Sequence, residues 1–71
     1  MIRFRCNNGD QYVIGPRDHY GRVLDCWANG EHISTIDVSH IEPGFRVAIW
    51  RDTWETDKAL WTDYVEEVWR E

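Results

Sequence analysis

A chain of 71 residues makes one domain and buries only about 60% of the surface its unfolded form exposes, so a few apolar side chains must carry the fold. Five Trp, three Tyr and two Phe supply that burial, and the apolar fraction of 42% excludes a disordered chain. The net charge of −5 speaks against an ordinary basic nucleic-acid binder, and no apolar stretch nears the roughly 20 residues of a membrane-spanning helix.

The opening reads as a hairpin. Ile2, Phe4 and Cys6 alternate with Arg3 and Arg5, and Gln11, Tyr12, Val13 and Ile14 follow Asn7-Asn8-Gly9. A tight Asn8-Gly9 turn would set Phe4 opposite Val13. A three-residue loop with Gly9 left-handed instead sets Ile2 opposite Ile14 and Phe4 opposite Tyr12. The second register gathers the bulky apolar groups on one face and is preferred. Arg3 and Arg5 then share the other face with Val13 and Gln11.

Residues 15–21, Gly-Pro-Arg-Asp-His-Tyr-Gly, carry loop punctuation at both ends. A second hairpin follows, residues 23–28 and Glu31–Val38 about an Asn29-Gly30 turn, the strongest short-range hairpin signal. It pairs Arg22 with Asp37 and Trp27 with His32. Glu42-Pro43-Gly44-Phe45 fits a type II turn, with Gly44 at the position that needs positive φ. Phe45, Val47 and Ile49 then alternate with Arg46, Ala48 and Trp50, a fifth strand with one core face.

Asp52-Thr53-Trp54-Glu55 has the form of a capping box. At about 100° per residue, Trp54, Leu60, Trp61, Tyr64, Val65, Val68 and Trp69 fall within about half a helical wheel. Glu55, Thr62, Asp63, Glu66, Glu67 and Arg70 take the rest. An extended reading of residues 63–71 would group Glu67 and Trp69 with Asp63 and Val65, so the helix over 53–70 is preferred. The expected fold class is α+β. About five short antiparallel strands fill residues 1–51, as a curled sheet or small open barrel of the SH3 or OB kind, beneath one C-terminal amphipathic helix. The whole of 1–71 is read as one small domain.

Charge is unevenly placed. Six Arg and six acids balance over residues 1–51, whereas residues 52–71 hold seven acids against Lys58 and Arg70. Seven of the eight basic residues are Arg, a bias suggesting a GC-rich bacterial or phage origin. The start, Met-Ile-Arg-Phe-Arg-Cys, lacks a signal peptide's apolar run, so the expected location is cytoplasmic or within a phage particle assembled there. Cys6 and Cys26 are expected as buried free thiols.

Metal and catalytic signals are weak. Cys6, His19, Cys26, His32 and His40 show no closely spaced ligand pair, so no metal or cofactor is expected. No nucleophile with a facing base stands out, and the five glycines sit one to a turn. The chain reads as non-enzymatic. Its aromatic supply exceeds what a small core needs, and exposed Trp, Tyr and Arg anchor interfaces. The expected function is a protein–protein interaction module, a bacterial or phage accessory protein that is either a virion or assembly component or an inhibitor of a host factor. Its expected anchors are Arg17, His19, Tyr20, Trp50, Trp54 and Trp69, with Glu66 and Glu67 turning a negative helix face to a basic partner. Self-association into a homo-oligomer is a further expectation. The alternative is a single-stranded nucleic-acid binder using Arg3, Arg5, Arg46 and Trp50, in which bases stack between Arg and aromatics.

Overall fold

The computed structural model describes residues 1–17, 23–51 and 59–71. They form six strands: β1 (Ile2–Cys6), β2 (Gln11–Arg17), β3 (Leu24–Ala28), β4 (Glu31–Val38), β5 (Arg46–Arg51) and β6 (Leu60–Arg70). Each pairs antiparallel with the next, and β6 pairs back onto β1, closing a barrel in simple chain order. The first hairpin has the expected register, Ile2 opposite Ile14 and Phe4 opposite Tyr12, with Gly9 at φ 92°. Phe4 and Tyr12 stack at 4.9 Å between ring centroids. Trp27 stands opposite His32 across an Asn29-Gly30 turn whose φ values of 51° and 86° mark it as type I′. The Phe45 N–H donates to the Glu42 carbonyl at 3.2 Å, and Gly44 has φ 88°, as the type II turn requires. The Arg22–Asp37 pairing and the capping box at Asp52 fall on residues outside those described.

The C-terminal helix is overturned. Residues 60–70 are extended, and the described fold is all-β, a closed six-stranded barrel in place of five strands under a helix. The reason lies in two β-bulges on β6. Arg5 faces Glu67 but Cys6 faces Val65, so Glu66 is an extra residue; Arg46 faces Tyr64 but Ala48 faces Trp61, so a second extra residue lies between. Each bulge resets the inside–outside alternation. Thr62 and Val65 are therefore both buried, and Val68 packs against the core, at intervals of three residues. That spacing imitates a helical period while the backbone remains a strand.

Two other departures have similar causes. Gly15, Pro16 and Arg17 belong to β2 rather than to a loop, because a bulge between Ile14 and Arg17 takes up the extra residue. Proline is tolerated in a sheet at such a bulge, where no ladder N–H is required. Phe45 lies just before β5 and is 53% exposed, whereas Val47, Ala48 and Ile49 are all fully buried.

The interior holds Phe4, Cys6, Tyr12, Ile14, Leu24, Cys26, Val47, Ile49 and Val65, with Ile41 packed in from the β4–β5 connection. Among the described residues, the buried polar side chains Thr35 and Thr62 sit at bulges and satisfy their hydroxyls locally. Thr62 Oγ1 accepts the Val47 N–H at 3.0 Å and donates to the Asp63 carbonyl at 2.8 Å. Thr35 Oγ1 donates toward the carbonyls of Asp37 and Trp50, across the irregular step where β4 meets β5.

Candidate interaction surface

Because Phe4 and Cys6 point inward, Arg3 and Arg5 must point outward, next to the outward residues of β6. The β1–β6 register sets Arg3 directly opposite Trp69, and its guanidinium lies 4.7 Å from the indole centroid. Arg5 reaches the same ring at 5.9 Å and is held by the carboxylates of the bulge residue and its neighbour: its Nε lies 3.2 Å from Glu66 and its Nη2 3.6 Å from Glu67. The extra residue places two acids against one arginine. These pairs are solvent-exposed, and each is worth about 0–1 kcal/mol.

At the other end of β6, Arg46 of β5 lies opposite Tyr64. Its Nε donates to the Thr62 carbonyl at 2.9 Å, and its guanidinium sits 5.6 Å from the Trp61 ring and 6.0 Å from the Tyr64 ring. That hydrogen bond anchors the guanidinium through its Nε. No described carboxylate lies within ion-pair distance of Arg46. Trp61 is 54% and Tyr64 52% exposed, so each keeps about half its surface in water. Phe45, near the same end, meets His40 edge-on at 5.6 Å.

The outer surface along β5, β6 and β1 thus carries two arginine–aromatic stacks with the Arg5–Glu66–Glu67 cluster between them. Arg3, Arg5, Glu66, Glu67 and Trp69, drawn from both functional readings, come together there. Trp50 is half-buried on β5 and pairs with Asp37; Arg17 ends β2, exposed and opposite Leu24. Neither joins the cluster. His19, Tyr20 and Trp54 lie outside the described residues. The negative helix face expected from Glu66 and Glu67 does not exist; both carboxylates stand on a strand and face Arg5. Trp61 and Tyr64, assigned by the wheel to the apolar helical stripe, are instead half exposed on this surface. Their neighbours Thr62, Val65 and Val68 are all β-branched, a strand preference that would have pointed to the extended form.

Cysteine chemistry finds no support at these positions. Both thiols are free and fully buried. Burial raises Cys6 above its usual value and pushes Cys26 up to about 11, so both stay protonated near neutrality. Among the described residues no three His, Cys, Asp or Glu side chains gather as metal ligands, and no helix is long and apolar enough to cross a membrane. No family model matches this chain, and neither the curated proteins nor the solved structures provide a match.

Proposed function

We propose that this protein is a non-enzymatic binding module that docks a protein partner on the outer surface of β5 and β6, centred on Arg46, Trp61 and Tyr64. The observation that carries the reading is the exposure of Trp61 and Tyr64 about an arginine anchored by the Thr62 carbonyl. Large aromatics and Arg are the side chains that contribute most when an interface closes over them, and these are already held in place, which lowers the ordering cost of binding. Closure of the barrel narrows the mode of binding. The described strands leave no open edge for a partner strand to extend, so recognition runs through side chains. A small bacterial or phage accessory protein, acting in the cytoplasm or within an assembled particle, fits this reading.

The second reading, a single-stranded nucleic-acid platform, draws on the same arginine–aromatic stacks. Charge weighs against it: Glu66 and Glu67 occupy Arg5, and the chain carries −5 overall. The test is affinity capture from lysate of the source cell with the wild type and with a Trp61→Ala/Tyr64→Ala variant of unchanged circular dichroism. A protein retained by the first and lost from the second supports the proposal. Equal capture by both, or micromolar anisotropy binding of a labelled single strand at about 50 mM salt, overturns it.

A further inference from the structure

On a different part of the barrel, the turn after β1 and the turn after β3 stand side by side and border an open cleft. Its volume is about 550 Å³, and it is lined by Gly9, Gln11, Val13, Trp27, Asn29 and Gly30. The frame is cross-linked. Asn29 Oδ1 accepts the Gln11 N–H at 2.8 Å, the Asn29 N–H donates to the Gln11 carbonyl at 2.8 Å, and Asn29 Nδ2 donates to Asp10 at 3.2 Å. Asp10 is in turn fixed by Asn8, whose Nδ2 donates to its carboxylate and whose Oδ1 accepts its backbone N–H, both at 3.0 Å. Three hydrogen bonds made by Asn29 therefore join the two turns.

The lining is chemically specific. Trp27 leans toward β2, its Cζ3 lying 3.4 Å from where a Gly15 side chain would begin. Val13 continues the apolar floor. The Gln11 carboxamide is exposed, and no described residue hydrogen-bonds it, which leaves a paired donor and acceptor at the rim. Gly9 and Gly30 leave open space where side chains would stand. No lining residue is charged; Asp10 is engaged by Asn29 and Asp25 by His32 at 2.8 Å.

From these features we infer that the cleft is a binding site for a neutral pyranose sugar. A sugar ring offers an apolar C–H face to an indole and hydroxyls that both donate and accept, which a planar carboxamide matches. A nucleotide or acidic ligand would need a free cation; the arginines opposite Gln11 and Val13 are turned to β6, Arg5 to Glu66 and Glu67 and Arg3 over the Trp69 ring. The site is separate from the β5–β6 surface, so it stands or falls independently of the proposed function.

The experiment is a two-dimensional ¹H–¹⁵N NMR titration of the intact protein with glucose, galactose and N-acetylglucosamine up to about 50 mM, the range over which a shallow site saturates. A saturable shift of the Trp27 indole N–H, with the Trp61 indole unmoved, is expected for at least one sugar. Gln11→Ala changes an exposed side chain and should weaken that binding about fivefold without altering the fold. Absence of a saturable Trp27 shift with every sugar overturns the proposal. So does a larger shift with adenosine, or an unchanged affinity in Gln11→Ala.

Discussion

Thr62 and Val65 both face the barrel interior although they lie an odd number of positions apart on one strand, a spacing that regular β-structure forbids. The bulge between them makes it possible, and the Thr62 hydroxyl stabilises the bulge by taking the Val47 N–H that a regular ladder would have paired.

Thr62→Val should therefore destabilise the protein despite its similar shape. It leaves the Val47 N–H buried without an acceptor, a loss of about 1–3 kcal/mol. Urea unfolding measures it directly. A midpoint equal to the wild type's would mean that the hydroxyl does not hold the bulge.

Gly15→Ala should cost about 1–3 kcal/mol through overpacking. An added Cβ would lie 3.3 Å from the Asp25 Cβ and 3.4 Å from Trp27 Cζ3. The Asp25 Cβ is the tight contact, so Asp25→Gly, which removes it, should make the two changes together cost less than their sum. A double-mutant cycle by thermal unfolding tests this non-additivity.

Stability should fall at high pH. Burial raises the Tyr12 phenol from 10.0 to about 12 and the Cys26 thiol from 9.0 to about 11. Both groups are neutral when protonated, so the unfolded chain releases these protons before the folded one does. Stability is fully present below the unfolded values of 9.0 and 10.0 and is lost as pH rises through that window towards 12. Melting temperatures across the range should decline, and Tyr12→Phe should flatten the upper part of the decline. A flat profile to about pH 11 in the wild type would contradict the burial of these groups.

Freeing Arg5 provides a test of why nucleic acid is disfavoured. Glu66→Gln/Glu67→Gln removes both of its carboxylate partners and changes the net charge from −5 to −3. Stability should change by less than about 1 kcal/mol, as for exposed pairs. Any residual affinity for single-stranded oligonucleotide should rise, with a steeper salt dependence. Unchanged anisotropy would show that Arg5 is not what the acids hold back.

Trp61→Ala and Tyr64→Ala should each leave the fold nearly as stable as the wild type. Surface substitutions of this kind fall within about 0.5 kcal/mol when no core contact is lost. A drop of several kcal/mol in chemical unfolding would make these rings part of the packing and remove them as docking anchors.

Much of the fold is written locally. The positive-φ glycines and Asn29-Gly30 fixed three turns, and side-chain alternation fixed the β1–β2 register, because turn geometry and a one-sided apolar pattern leave few alternatives. The Trp27–His32 pairing followed from the length of its turn in the same way. Arg3, Arg5 and Arg46 were legible as outward groups on that basis. Their partners on β6 were not.

What the amino-acid order determined alone was the position of the turns, the inward set of β1 and β2, and the supply of Arg and aromatic side chains. What only the tertiary structure decided was the state of residues 60–70, and with it the surface. Thr62, Val65 and Val68 repeat at an interval that suits a helix or a twice-bulged strand equally well. The choice between them rests on β1 and β5, which offer β6 backbone partners on both sides and close the barrel. Those hydrogen bonds join residues as far apart as Ile2 and Arg70, so no local window of the sequence contains them.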